Sequence, residues 1–249
     1  PEPAVRVELP PPDGREKAVS QGIYALDEVL SGIRDAQAKL AAARPDRVIT
    51  LGGNCLVSLA PFDYLRGLYP ELGIVWIDAH PDVSTVQDGY PYAHAMVLGS
   101  LLGGGAPQLS SQVRNKFFKP DEVLYVGLQG LHSYQEAFLK DAGVPYKVQE
   151  NSFLQDDEIL AFLRRFDHIL LHFDIDVLDE HIFHSTYFAN PELSGDGSGG
   201  GKMTIAQLSH VLKLVTSRSN VVGFTIAEYL PFDEFKLHQI FSEISLFTE

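Results

Sequence analysis

Two short segments of this chain carry acids at alternate positions. Asp78-Ala79-His80-Pro81-Asp82 sets two carboxylates around an imidazole, and Asp174-Ile175-Asp176 repeats the spacing. Side chains at i, i+2 and i+4 of an extended segment share one face, so Asp78, His80 and Asp82 converge, as do Asp174 and Asp176. Such groups, packed away from water, are costly unless a cation neutralises them. Oxygen ligands with one imidazole suit Mn(II) or a similar hard-to-borderline cation. Two bridging carboxylates would let two ions sit about 3.5 Å apart and activate a shared water. The competing reading is a set of helix caps and salt-bridged acids; two separate strand ends of the same design argue against it.

Three more residues belong to the same crevice by their place in the chain. Cys55 closes the turn Gly52-Gly53-Asn54-Cys55 at a third strand end. A thiolate is softer than imidazole and favours Zn(II) or Fe(II) over Mn(II); alternatively Cys55 is a small buried residue at a tight turn. The two glycines of that turn could cradle phosphate, but there is no G-x-G-x-x-G and no P-loop lysine, which leaves close backbone approach as their use. His94 opens the helix that follows the first acidic stretch and could transfer protons, or simply be solvated. Glu228 ends Thr225-Ile226-Ala227-Glu228. Alone it would be a solvated acid; beside a cationic substrate it could hold a guanidinium or amine.

The elements that must position these groups are readable as alternating strands and helices. Apolar runs at 47–51, 72–77, 122–127, 168–173 and 220–226 read as strands, with a short further one at 145–148. Helical spacing covers 17–43, 56–68, 94–102, 133–142 (with Ser133 as N-cap), 156–166, 204–216 and 234–247. The strands are apolar on both faces. This predicts an α/β fold whose parallel sheet is covered on both sides, with function at the C-terminal strand ends. Residues 1–16 read as an extended, proline-rich arm. The glycine-rich stretch within 177–202 follows directly from the acidic strand, which favours an active-site loop over a linker. No repeat or composition break divides residues 1–249, so a single domain is expected.

Composition narrows the partners. Hydrophobic residues make up 45% of the 249, enough for a sizeable core, and 33 acids against 19 Lys+Arg give a net charge of −14. That balance argues against nucleic acid or an anionic membrane as a partner. One cysteine permits no intrachain disulfide. No apolar run approaches the roughly 18 residues of a membrane span, and a cytoplasmic location is the default expectation.

In order and spacing these segments resemble the arginase/agmatinase (ureohydrolase) family. Its pattern runs GGDHS, DAHxD, a His in a short His-Gly motif, DxDxxDP, and a Glu before Asn-Pro. The counterparts are Gly52-Gly53-Asn54-Cys55-Leu56, Asp78-Ala79-His80-Pro81-Asp82, His94-Ala95-Met96, Asp174-Ile175-Asp176-Val177-Leu178-Asp179-Glu180 and Glu228-Tyr229-Leu230-Pro231. The match runs from about Arg47 onward; the family's first strand has no clear counterpart. The resemblance implies a three-layer α/β/α domain with a mainly parallel sheet. It implies Mn(II), one or two ions per chain, with Asp78 and Asp174 bridging, His80 and Asp176 completing one site, and Asp82 and Cys55 the other. It also implies a small-molecule guanidino or amidino partner, hydrolysed at the carbon of its guanidinium or related amidine. Asp82 would hold the attacking water, His94 would shuttle a proton, and Glu228 would bind the substrate's positive end. Homo-oligomers are usual in the family.

Two departures bear on activity. Cys55 replaces the first metal-ligand His, as in the branch that hydrolyses N-hydroxyarginine, so that half-site could be weak or hold Zn or Fe. The segments that read an amino-acid head group also differ. The first offers Ser84, Asp88 and Tyr92, with Ser84 a candidate substrate contact. The second, Gly127-Leu128-Gln129-Gly130-Leu131-His132, lacks the family's acids. Both features point away from arginine and toward another guanidino compound. The rival readings are a deacylase on the related fold and a non-catalytic member serving as a binding or assembly scaffold.

Overall fold

The computed structural model describes residues 4–9, 14–230 and 234–248. Its centre is a five-stranded, all-parallel sheet. A two-residue hairpin comes first in the chain, formed by β1 (Val19–Ser20) and β2 (Ile23–Tyr24). The sheet strands are β3 (Val48–Leu51), β4 (Leu72–Ile77), β5 (Val123–Val126), β6 (His168–Asp174) and β7 (Val221–Ala227), in the order β3-β7-β6-β4-β5.

Helices cover both faces, because crossovers between parallel strands must return outside the sheet. One face packs on α1 (Leu26–Ala43), α2 (Leu59–Leu68), α3 (Val97–Leu101) and α5 (Ser133–Ala142), with the short α4 (Pro107–Ser110) beside them. The other packs on α6 (Asp156–Leu163), α7 (Ile205–Arg218), α8 (Glu234–Ser242) and α9 (Ser245–Thr248). Strand alternation divides the core accordingly. Leu72, Ile74 and Trp76 of β4 point to the first layer, and Val75 and Ile77 to the second. Every residue of β4 and β7 is buried. This is the three-layer α/β/α arrangement expected from the sequence.

The edge strand β3 departs from the two-sided pattern. Ile49 and Leu51, on one face of this edge strand, are 48% and 71% exposed, whereas the opposite edge strand, β5, is mostly buried. The helix expected over 17–43 begins only at Leu26. Gln21 and Gly22, with φ of 50° and 82°, turn the chain back into the hairpin instead. The N-cap of α5 is His132 rather than Ser133, and residues 145–148 form no strand. Within the expected N-terminal arm, residues 4–9 and 14–16 have no regular structure, while 1–3 and 10–13 lie outside the described residues. No described helix is long and apolar enough to cross a membrane.

The sheet order brings the chemistry together. β6 lies between β4 and β7, so the segment after β4 (Asp78–Asp82), the end of β6 (Asp174, Asp176) and the residue after β7 (Glu228) adjoin. β3 beside β7 adds the Gly52–Cys55 turn. The loop after β6 is clamped at its base. Gly201 donates its N–H to Asp176 O (2.7 Å), and Met203 donates to Val177 O (3.0 Å). A Cβ at Gly201 would overlap the Val177 backbone carbonyl, which has no flexible side chain to give way. Gly201→Ala is therefore expected to lower stability by about 1–3 kcal/mol, as overpacking does, in urea unfolding; a loss below about 0.5 kcal/mol would contradict the clamp.

Candidate metal centre

Asp78 leaves β4 fully buried. Its Oδ1 accepts the His80 backbone N–H (2.7 Å), and its Oδ2 accepts Trp76 Nε1–H (3.0 Å). At β6, Asp174 Oδ1 accepts the Asp176 backbone N–H (2.8 Å) and Oδ2 accepts the Cys55 thiol (2.8 Å). His80 donates Nε2–H to Gly199 O (2.9 Å), which turns Nδ1 toward Asp176 Oδ2 (3.1 Å) and Asp78 Oδ1 (3.5 Å). Fixing one ring nitrogen by a hydrogen bond is the usual way a metal-ligating imidazole is oriented.

Ligand-type atoms gather in adjoining groups, each within 4.8 Å: Asp78, His80 and Asp176; Cys55, Asp78, Asp82 and His172; and Cys55, Asp174 and Glu228. The six residues read from the sequence as ligands, Cys55, Asp78, His80, Asp82, Asp174 and Asp176, all fall in these groups, and Asp78 and Cys55 each belong to two. Asp82 Oδ2 and Asp176 Oδ1 are buried without a hydrogen-bond partner. Buried carboxylate oxygens left in that state are expensive, and a cation would satisfy them. The donor set and these orphan oxygens fit a metal ion. A fourth group, Asp179, Glu180 and His181, lies at the more exposed start of the following loop.

The electrostatics agree. Burial, then the charge of Asp176, raises Asp78 to about 7. Burial first, then neighbouring acids, raises Asp82 and Asp174 well above the carboxylate range. Burial and four surrounding carboxylates hold the Cys55 thiol protonated. Glu228 is pushed to about 8, by burial and then by Asp176 and Asp78. Asp176 alone falls below its usual value: burial opposes its charge, but His80 at its side outweighs that. His80 is raised in return, Asp176 overcoming the effect of burial. Protons thus occupy the acidic centre where a cation would replace them.

The candidate substrate residues are placed unevenly. His94 lies in a 3-10 turn (Ala93–Met96), half-buried, with Tyr90 Oη at 3.5 Å from Nε2 and the Tyr92 ring alongside. Burial, then His80, lowers it to about 4, so it is neutral at pH 7. Ser84 is fully buried, its amide bonded to Ala95 O. Asp88 accepts from Thr85 N and Oγ1 and braces its own loop. Tyr92 is exposed. Gln129 is buried and donates to Gly127 O, so the segment after β5 offers structure where the family pattern has acids.

Two features lay outside the sequence reading. One is how the glycine-rich loop, expected at the active site, contacts the centre. Besides the Gly199 contact, Ser198 Oγ lies 3.1 Å and Asp196 Oδ2 3.4 Å from His132 Nε2. The other is His172, fully buried and two residues before Asp174 on the same face of β6. Its period-two spacing from Asp174 was the available signal.

A parallel α/β/α sheet with a carboxylate-rich centre at its strand ends defines an α/β protein with a candidate metal site. The Arginase family profile matches residues 13–239, and the chain belongs to the arginase family. The arginase of Bacillus caldovelox is 31% identical over 166 residues, 60% of this chain and 55% of that protein. The agmatinase of Halalkalibacterium halodurans is 26% identical over 186 residues, 74% of this chain and again 55% of its own length. These matches thus span just over half of each relative. The solved Bacillus caldovelox arginase superposes with a TM-score of 0.80 at 20% identity, over 98% of this chain and 83% of that one.

The raised acids set a pH dependence for chelator-treated protein. A carboxylate whose folded pKa lies above its unfolded value stabilises the fold below the unfolded pKa, and that contribution is lost as pH rises through the folded one. With Asp78 near 7 and Glu228 near 8, the melting temperature of metal-free protein should fall from pH 5 to pH 8. Added divalent metal should restore it most at the alkaline end. A metal-free melting temperature that rises over this window would contradict the assignment.

Proposed function

We propose that this protein hydrolyses a non-peptide C–N bond in a small guanidino or amidino compound, a linear-amidine hydrolysis of the EC 3.5.3 type. The observation that carries the reading is Glu228. It extends the strand-end cluster, its side chain faces Cys55 and Asp174, and among the described residues no Lys or Arg pairs with it. Five carboxylates stand at the strand ends: Asp78, Asp82, Asp174, Asp176 and Glu228. With the Cys55 thiolate they make six negative charges, so two divalent ions would leave two, and a guanidinium complements that residual negative charge.

The residues divide the work. Cys55, Asp78, His80, Asp82, Asp174 and Asp176 would hold the metal, which when bound lowers the pKa of a water and polarises the substrate carbon. Glu228 binds the cationic end and orients the scissile carbon. Asp82, with Oδ2 unpaired, accepts a hydrogen bond from the attacking water. Water adds across the C–N bond, and the amine leaves with a proton. His94, neutral at pH 7, relays that proton rather than storing it. Mn(II) is the metal expected for the oxygen-rich His80 half; Cys55 shifts the other half toward Zn(II) or Fe(II). The missing acids after β5 and the bracing role of Asp88 support a guanidino compound other than arginine, hydroxyguanidines among them. Ser84, buried, would shape the pocket wall. Homo-oligomeric assembly and a cytoplasmic location rest on the family resemblance and on default. Among the described residues nothing favours the deacylase or scaffold readings.

Glu228→Gln separates a cationic from a neutral substrate. Removing one partner of a buried charge pair costs about 2–5 kcal/mol, so kcat/KM for a guanidine that wild type hydrolyses should fall roughly 30- to 4,000-fold. Activity retained within a few-fold, or a matching loss on an uncharged amide, would sink the proposal.

A further inference from the structure

We propose that His172 is a metal ligand of this chain, completing with Cys55, Asp78 and Asp82 a mixed thiolate–imidazole–carboxylate half-site selective for Zn(II) and similar borderline ions over Mn(II). This rests on the metal-centre reading of the cluster and not on the nature of the substrate.

Three observations place His172 there. Its ring is fully buried, yet Nε2 has no hydrogen-bond partner, a state that burial penalises. That nitrogen is aimed at the cluster. It lies 3.7 Å from Asp78 Oδ2, and a ring nitrogen of His172 lies within 4.8 Å of one donor atom each of Cys55, Asp78 and Asp82. At bond lengths of about 2.0–2.3 Å a tetrahedral ion sets its ligands roughly 3.3–3.8 Å apart, so small side-chain shifts close the set. Thirdly, the ring is held on its other edges. His172 Nδ1 and Ser58 Oγ are 2.8 Å apart. Nδ1–H donating to Ser58 leaves the Nε2 lone pair facing the cluster, the second-shell arrangement of a metal-bound imidazole. Trp76, the register partner of His172 on β4, stacks on the ring at 3.6 Å between centroids and 8° between planes, and also donates to Asp78 Oδ2. One indole thus orients both the ring and a carboxylate that it would share a metal with.

The chemistry explains how a cysteine can stand at the third strand end. With Cys55 alone the half-site exchanges an imidazole for a thiol. With His172 it regains an imidazole from the neighbouring rung of β6 while gaining a soft donor, and sulfur with nitrogen selects Zn(II). The set Cys55, His172, Asp78 and Asp82 gives four protein ligands, two of them hard.

The test uses full-length protein stripped with chelator and reloaded with Co(II) as a spectroscopic probe, then with Zn(II) against Mn(II). Wild type should show a thiolate-to-cobalt charge-transfer band and the intense visible bands of a tetrahedral ion. Its long-range proton–nitrogen spectrum should show the His172 Nε2 resonance shifting on Zn(II) loading. His172→Gln should keep the metal-free fold by circular dichroism, lose the tetrahedral bands and bind Zn(II) at least about 100-fold more weakly. Ser58→Ala should weaken Zn(II) about 10-fold while keeping the coordination spectrum. A wild-type spectrum with no thiolate band overturns the proposal. So does an unchanged spectrum in His172→Gln, or a His172 Nε2 resonance that ignores Zn(II). The nitrogen measurement needs only wild type and decides the matter even if His172→Gln does not fold. Loss of guanidine hydrolysis with these signatures intact would count against the substrate reading alone.

Discussion

Five carboxylates share one desolvated crevice, and their mutual repulsion is the constraint that the rest of the molecule must answer. Isolated buried charges of this kind cost several kcal/mol each. Without metal the chain answers with protons: Asp78, Asp82, Asp174 and Glu228 are all pushed up, and Cys55 stays a thiol. Only Asp176 keeps its charge readily, because His80 carries the compensating one. A divalent ion would do the same work without protons and would satisfy the orphan oxygens of Asp82 and Asp176 as well. The parallel sheet concentrates the acids, since every strand delivers its C-terminal end to one edge.

The backbone is bent to hold that arrangement. Asp82 and Glu228 both adopt left-handed conformations, with φ of 52° and 61°. Non-glycine residues held in such regions cost about 1–3 kcal/mol each and persist where the surroundings over-determine them. Here Gly99 N–H donates to Asp82 O (3.0 Å), and Glu228 N–H donates to Gly53 O (2.6 Å). The second bond ties β7 to the Cys55 turn, so Glu228 and Cys55, the proposed substrate contact and metal donor, are fixed by one contact. Above them the glycine-rich loop sets Gly199 against His80 and Asp196 against His132, so the loop's order and the orientation of the His80 ring are linked.

Much of the centre was legible because its signal is local. Period-two acids at the end of apolar runs identify Asp78, His80, Asp82, Asp174 and Asp176 with no knowledge of which strands adjoin. His172 was less visible, since its importance depends on Trp76 lying beside it across two strands and on Ser58 arriving from a separate turn. The glycine-rich loop declared its flexibility in sequence but not its contact with His80, which depends on a backbone carbonyl. In the fold, Ile23 matched the helical spacing of Leu26 and Leu30, yet the turn at Gln21 and Gly22 overrode that pattern and made a hairpin. Residues 145–148 had strand-like composition. They lie beyond β5, where Gln149 N–H bonds Leu128 O, and single bonds of that kind do not make a ladder. Ile49 and Leu51 read as buried because an apolar run does not say which face of a strand its neighbours leave uncovered.

The central claim is that the strand-end cluster is a metal centre. Elemental analysis of protein purified without chelator, then dialysed against excess Mn(II), Zn(II) or Fe(II), tests it most directly. The account predicts at least one tightly held transition-metal ion per chain, and two where both half-sites fill. Protein that retains no stoichiometric metal under any of these conditions would contradict it.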